Sequence, residues 1–361
     1  MGSLRSPRPR DQYGGKQAPY SAIDAPVGPG YETRLVLRKA ANLVHELGRP
    51  EFTKSCVNPS KVFDGIAMPR LDRLVAVYLC HPLLLLLRSR SAGGVPILMY
   101  HSISENLFGK SHPYYRINTA PEMFARQMKW IRDAGYRCLN CTELLEALDR
   151  GKDTSKSVVI TFDDGYRDFY TDAFPILRRY GLTATVFLPT NRIHDEPFRI
   201  DGIEYLSWRD VRELHAQGIR FGSHTVNHPD LRSLGPEEID YELGYSKETL
   251  EDRIGCRVET FSYPFSFPEE NRSFITYLAD ALQSNGFENG VSTILGRASL
   301  RSNRFFLPRL PVNSCDDSLL LRAKLEGGYD WLHWPQRVYK FAHHNASVMQ
   351  QSGPIRFSST E

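Results

Sequence analysis

The chain has 361 residues, of which 41% are hydrophobic and 24% charged, and its formal net charge is +3. That length provides enough material for the core of one large domain or of two ordinary ones. The small net charge gives no reason to expect nucleic acid as the main partner. The composition is that of a globular protein, so the function has to be inferred from motifs.

The first part of the chain gives few signs of regular structure. Residues 1–30 carry charge, Pro and Gly without the apolar core of a standard signal peptide, so we expect a cytoplasmic or membrane-associated location rather than secretion. An apolar run at 74–87 is shorter than the roughly 18–20 residues that span a bilayer. Three interpretations stay open: a helix packed on the core, a segment in peripheral contact with a membrane, or a marginal anchor.

From residue 95 onward, short apolar strands alternate with amphipathic helices. The predicted strands are 95–100, 157–162, 184–188, 218–224, 258–263 and 290–295. The predicted helices are 121–134, 142–148, 172–180, 207–217, 236–254 and 274–283. Thr142 is a candidate N-cap, and Ser207 with Asp210 forms a candidate capping box. This alternation predicts a parallel α/β fold, either an open sheet or a barrel.

Three segments follow from this pattern. Residues 1–94 form a poorly structured N-terminal extension, residues 95–345 the main α/β domain, and residues 346–361 a C-terminal tail. The functional motifs are therefore expected within the main domain.

Two adjacent carboxylates end the most apolar predicted strand. Asp163 and Asp164 follow the run 157–162, and Gly165 favours a turn directly after them. Adjacent like charges repel, and burial would raise a carboxyl pKa unless a cation or hydrogen bonds compensate. A metal ion would meet that need, whereas a solvated Asp-Asp-Gly turn is the alternative interpretation.

Other polar residues also stand at predicted strand ends, where the catalytic groups of α/β barrels lie. His101 follows one strand, and His224 follows another. His228 comes four residues after His224, so a turn can direct both imidazoles at one ion. Two His and one carboxylate form a divalent-metal ligand set that leaves positions for water and substrate.

These motifs resemble a known family. Residues 161–165 (TFDDG) and 224–229 (HTVNHP) resemble the polysaccharide deacetylases, the NodB-homology carbohydrate esterases related to family 4. Residues 97–103 (ILMYHSI) and 261–265 (FSYPF) are similar to the branch that acts on poly-N-acetylglucosamine-type exopolysaccharides. The resemblance covers residues 95–325 and implies a distorted (β/α) barrel of the NodB-homology type.

The resemblance also implies roles for the candidate residues. Asp164, His224 and His228 would hold a divalent ion, commonly Zn²⁺, and Asp163 would be the general base. His101 would donate a proton to the leaving amine, because the motif order of this branch resembles a circular permutation. The implied reaction removes N-acetyl groups from an amino-sugar polysaccharide or oligosaccharide.

The sequence departs from the family pattern at the third motif. Tyr263, Pro264 and Phe265 stand where the family usually has Arg-Pro-Pro-Tyr-Gly, and a backbone N–H near Phe265 would face the oxyanion. We expect Arg309 to steady Asp163 in place of the missing Arg, with a purely structural Arg as the alternative. Two other functions stay open: an amidohydrolase acting on a non-sugar acetamide, and a catalytically inactive carbohydrate-binding relative.

Overall fold

The computed structural model describes residues 70–86, 94–105, 116–200 and 202–338. The expectations for residues 1–30 and for the tail at 346–361 lie outside these residues. The described strands are β1 Ile97–Tyr100, β2 Arg137–Leu139, β3 Ser157–Phe162, β4 Thr185–Leu188, β5 Arg199–Ile200, β6 Ile203–Glu204, β7 Arg220–Ser223, β8 Thr260–Ser262, β9 Asn289–Leu295 and β10 Leu307–Pro311.

Seven of the strands close into a parallel barrel. They pair in the order β1, β10, β9, β8, β7, β4 and β3, and β3 pairs back with β1. β2 lies beside the first half of β3, where Arg137 is opposite Ser157, and β4 takes over beside the second half. β5 and β6 form a separate antiparallel ribbon. The α/β class and the distorted (β/α) barrel are thus confirmed.

Helices connect and cover the strands. They are α1 Leu71–Val75, α2 His81–Leu86, α3 Pro121–Asp133, α4 Cys141–Asp149, α5 Phe174–Tyr180, α6 Trp208–Ala216, α7 Pro236–Ile254, α8 Arg272–Ser284 and α9 Ser318–Leu325. The central strand β3, SVVITF, is buried along its whole length, as a barrel strand covered by helices on the outside and by side chains inside should be. Four strands, β2, β5, β6 and β10, are absent from the sequence-based prediction.

One predicted helix cap is confirmed and another is wrong. At the start of α6, Ser207 accepts from the Asp210 N–H and Asp210 accepts from the Ser207 N–H, as predicted. At α4, the N-cap is Asn140, which forms a reciprocal pair with Glu143, and Thr142 lies inside the first turn. An Asn three residues before a Glu satisfies two free N–H groups at once, and this favours the earlier start.

The apolar segment before the barrel is helical and packs on α9. It consists of α1, the π-helical turn Ala76–Cys80 and α2, and its buried residues include Ala76 and His81. Arg73 pairs with Asp317, and His81 Nε2 lies 2.7 Å from Glu326. The opposite side exposes Tyr78, Leu79, Leu83, Leu85 and Leu86.

This segment therefore packs on the core, as one of the three interpretations predicted. No helix among the described residues is long and apolar enough to cross a membrane. Peripheral membrane contact through residues 74–87 stays a prediction.

Candidate active site

The carboxyl ends of the barrel strands bring the predicted polar residues to one edge. Asp163 directly follows β3, His224 follows β7 and His101 follows β1. Because all seven barrel strands are parallel, these ends share one face of the barrel. The barrel topology thus places residues from distant parts of the chain around one site.

The backbone at this face adopts uncommon conformations. The non-glycine residues with positive φ among those the structure describes are Asp164, Thr225, His228 and Phe265. Such conformations cost free energy in side-chain-bearing residues and cluster at functional sites. Gly165 follows Asp164 at φ 67°, and a Cβ there would lie 2.7 Å from Leu188 Cδ2, so a side chain at this turn would be strained.

Asp164, His224 and His228 form a group whose ligand atoms lie within 4.8 Å of one another. The Asp164 Oδ1 atom lies 3.6 Å from His224 Nε2 and 3.4 Å from His228 Nε2. Two atoms that are each 2.0–2.2 Å from one tetrahedral ion stand roughly 3.3–3.6 Å apart. The three residues therefore fit a single divalent ion.

Both imidazoles are prepared as ligands. Burial lowers the pKa of His224 and lowers the pKa of His228 to about 4, so neither ring is positively charged at neutral pH. The Ser262 carbonyl oxygen lies 2.7 Å from His224 Nδ1 and can accept its hydrogen. This contact assigns the proton to Nδ1 and leaves the Nε2 lone pair facing Asp164.

Asp163 lies in a different environment from its neighbour. Burial alone would raise its pKa, but the buried Arg309 guanidinium lowers it well below the ordinary value. Arg309 binds both carboxylate oxygens, with Nη1 at 2.8 Å from Oδ1 and Nη2 at 2.7 Å from Oδ2. Further bonds to the Ser292 carbonyl and the Ser262 hydroxyl fix the guanidinium. Asp163 is therefore ionised and held in one orientation.

The remaining predicted residues occupy different positions around this centre. His101 is close enough to lower the pKa of both aspartates. The half-exposed Phe265 ring lies 4.5 Å from the His228 ring. Tyr263 is 1% exposed and packs against Phe267 with ring centroids 5.0 Å apart, and Pro264 is buried beside it. Their roles toward a substrate stay predictions.

A buried carboxylate that sequence reasoning missed supports the His224–His228 loop. Glu242 on α7 accepts hydrogen bonds from the Val226 and Asn227 N–H groups at 2.8 and 2.9 Å, and from Asn227 Nδ2 at 2.7 Å. Its signal in the sequence is a charged residue on the buried side of a helix, between Ile239 and Leu243. The three bonds hold the loop that carries both imidazoles.

The chain is similar to proteins that are already known. Residues 150–286 match the family described as polysaccharide deacetylase. YxkH of Bacillus subtilis, named as a polysaccharide deacetylase, is 32% identical over 229 residues, which cover 63% of this chain and 74% of that protein. The chain belongs to the polysaccharide deacetylase family. It is accordingly a hydrolase of the deacetylase type.

Other known proteins are also similar to this chain. The poly-β-1,6-N-acetyl-D-glucosamine N-deacetylase of Staphylococcus aureus is 24% identical over 215 residues, or 57% of this chain and 71% of that protein. Among solved structures, the deacetylase PplD of Streptococcus pyogenes has a TM-score of 0.55 at 27% identity, covering 64% of this chain and 98% of that one. IcaB of Ammonifex degensii has the same fold, with a TM-score of 0.52 at 21% identity, covering 64% and 97%.

Proposed function

We propose that this polysaccharide deacetylase removes N-acetyl groups from an amino-sugar polymer with the help of a divalent metal ion. The observation that carries the proposal is the contrast between two adjacent aspartates. Asp164 lies beside two neutral imidazoles at ligand spacing, and Asp163 is paired with Arg309. Asp164 is thus available to bind a metal ion, and Asp163 is available to accept a proton.

Zn²⁺ is the ion we expect at Asp164, His224 and His228. Two imidazoles and one carboxylate are a common catalytic zinc set that leaves coordination positions open. When bound, the ion would polarise the acetamide carbonyl and lower the pKa of the attacking water.

Different residues around the triad carry out the two proton transfers. Asp163 accepts the proton of the attacking water, while Arg309 keeps both of its oxygens in place. The backbone N–H of Phe265, on a left-handed residue beside His228, donates to the developing oxyanion. His101 donates a proton to the amine as it leaves. The products are acetate and a free amino sugar.

The relatives support the choice of substrate. The Staphylococcus aureus protein is named for removing acetyl groups from nitrogen on poly-β-1,6-N-acetyl-D-glucosamine. PplD was solved in complex with acetate, which is a product of deacetylation. An N-acetylated amino-sugar polymer is therefore the first substrate class to test.

Acetate release is the direct test. The protein should be incubated with N-acetylated oligosaccharides of several lengths, with a chelator, and with the chelator followed by excess Zn²⁺. We expect release that the chelator abolishes and Zn²⁺ restores. Release only from a non-sugar acetamide would favour a general amidohydrolase. Sugar binding without metal or release would favour an inactive carbohydrate-binding relative.

The role of Asp163 can be separated from metal binding. Asp163→Asn should retain the metal and lower turnover by about 10²–10⁴-fold, the usual contribution of general base catalysis. Metal content and acetate release are measured on the same sample, and an unfolding curve shows that the variant is folded. Asp153→Asn, at an exposed position, is the matched control. Full activity in Asp163→Asn would refute the assignment.

A further inference from the structure

A cavity lies beside the loop that carries Phe265. It has a volume of about 570 Å³, and its lining includes Phe267 and Glu269 from that loop. The Thr293 hydroxyl holds this loop at two residues, because it accepts from the Phe267 N–H at 2.9 Å and donates to the Phe265 carbonyl at 3.2 Å. Since the Phe265 ring contacts His228 and Phe267 lines the cavity, the same loop reaches both the cavity and the candidate metal triad.

The size and the chemistry of the lining suit a sugar ring. The volume lies within the roughly 300–1,000 Å³ typical of small-molecule sites. Phe267 and Phe306 form a buried apolar floor, and Ser302, Asn303 and His333 add hydrogen-bonding groups. Pyranoses present both an apolar face and several hydroxyls, so a site for them needs both kinds of group.

One polar atom of the lining has unused hydrogen-bonding capacity. Asp330 Oδ2 accepts from Arg297 Nε at 2.9 Å, while the buried Oδ1 atom has no partner among the described residues. A buried carboxylate oxygen without a partner is costly, and a ligand hydroxyl would satisfy it once the Asp330 side chain, which is 37% exposed, turns that oxygen toward the cavity. Trp334, 66% exposed, stands against the lining residues His333 and Arg337 and offers a stacking face beside the cavity.

The charge of the lining restricts which sugar can bind. Its charged side chains are Arg297, Arg301, Arg337, Glu269 and Asp330. Arg297 and Asp330 pair with each other, so the exposed Arg301 and Arg337 outnumber the remaining acid. This cationic excess disfavours an ammonium group, which a deacetylated amino sugar carries and an acetylated one lacks.

We infer that this cavity is a sugar-binding site that accepts an uncharged N-acetylated unit of the polymer and rejects a deacetylated one. The inference rests on the proposed function for the identity of the polymer. Such a site would bind stretches that still carry acetyl groups, and would release stretches that have already reacted. Arg301 and Arg337 are the residues that discriminate between the two.

Binding of two hexamers tests the inference. N-acetylglucosamine hexamer and its fully deacetylated counterpart are titrated calorimetrically at pH 6, where the free amines are protonated. The full chain carries Asp164→Asn throughout, which removes a metal ligand and prevents turnover. We expect the acetylated hexamer to bind about tenfold more tightly at low salt, and the ratio to fall as salt is added.

Charge reversal identifies the residues responsible. Arg301→Glu combined with Arg337→Glu should remove or invert the tenfold preference. Arg179→Glu combined with Arg212→Glu is the matched control, because both residues are exposed on α5 and α6 and neither lines the cavity. An unchanged ratio in the cavity variant, or no preference in either parent or control, would overturn the inference.

The outcome of this binding test can be separated from the outcome of the acetate-release test. If the metal-loaded protein releases no acetate but the preference depends on Arg301 and Arg337, the proposed function fails and the cavity remains a sugar site. If acetate is released and the preference ignores both residues, the proposed function stands and the cavity inference fails.

Discussion

Two clusters of buried charge in this protein differ in how far their charges are neutralised. In the active-site cluster, Asp163 has Arg309, whereas the ion-pair partners of Asp164 among the described residues are two imidazoles that burial keeps neutral. In the second cluster, where the N-terminal helical segment meets α9, oppositely charged groups pair throughout. The first cluster is therefore incomplete without a cation.

The second cluster shows what a purely structural arrangement looks like. Lys324, 2% exposed, lies 3.0 Å from Asp316 Oδ2 and donates to the Pro311 carbonyl at 2.5 Å. Arg70 pairs with Asp72 at 2.5 Å, and the Tyr329 hydroxyl donates to the same carboxylate at 2.8 Å. Buried charges survive in a protein interior when they are paired in this way.

The comparison indicates how to recognise a functional charge cluster. Both clusters are buried and both contain two carboxylates, so burial alone does not separate them. They differ in whether the protein supplies the counter-charge itself. An uncompensated carboxylate beside neutral imidazoles indicates a ligand that comes from solution.

The largest expected effect is that of Asp164→Asn. Loss of a carboxylate ligand should remove the metal and lower turnover by about a thousandfold or more, since metal activation contributes several kcal/mol to the barrier. Metal content and acetate release measure this. The metal-free variant should unfold at no lower denaturant concentration than the metal-free parent, because the ion-pair partners of Asp164 among the described residues are neutral imidazoles. A clear loss of metal-free stability would contradict the comparison.

Lys324→Met should lower stability without lowering turnover, the opposite of what we expect for Asp164→Asn. It removes the closer cation of the buried Asp316 and leaves only Arg70, whose Nη1 is 3.6 Å from Asp316 Oδ1 among the described residues, so the free energy of unfolding should fall by about 3 kcal/mol, the lower end for a broken buried pair. Denaturant unfolding measures this change. Turnover per folded molecule should equal that of the parent, and a selective loss of turnover would show that the two clusters are coupled.

Asp168 tests a third situation, a mostly buried carboxylate that pairs with no cation in the part of the chain that the structure describes. Burial raises its pKa to about 6 from 3.8, although the Ser102 hydroxyl donates to it at 2.5 Å. The folded protein therefore binds more protons than the unfolded chain between pH 4 and 6, and this contribution to stability is lost as pH rises through that window. Relative to Asp168→Asn, the parent should lose about 1–2 kcal/mol of unfolding free energy.

Unfolding curves of both proteins at several pH values check this prediction. The difference between the two should change mainly between pH 4 and 6 and level off by about pH 7. Parallel curves across the whole range would show that Asp168 titrates normally.

Glu242→Gln should have the smallest effect. The loop from His224 to His228 would lose part of its support, and metal affinity should fall about tenfold, the lower end for residues that orient ligands. Glu248→Gln, exposed on the same helix, is the control. Equal metal affinity in both variants would show that Glu242 serves stability alone.

Much of the site could be predicted from local patterns. The apolar run before Asp163 and the short strands before His101 and His224 identified strand ends, and parallel strands bring such ends together. Arg309 was a weaker prediction, because its strand reads LPRLP and two prolines obscure the β pattern. β2, with three residues, was missed for a similar lack of signal.

The strand–helix alternation, the Asp-Asp turn and the spacing of the two imidazoles can be read from local sequence, because each depends on residues close together in the chain. Long-range packing selected the pairing of β1 with β3, the contact of Arg309 with Asp163 and the support that Glu242 gives to the loop of His224. It also formed the cavity beside Phe267. These features join residues that are far apart in the chain, and packing rather than local propensity selects which of them meet.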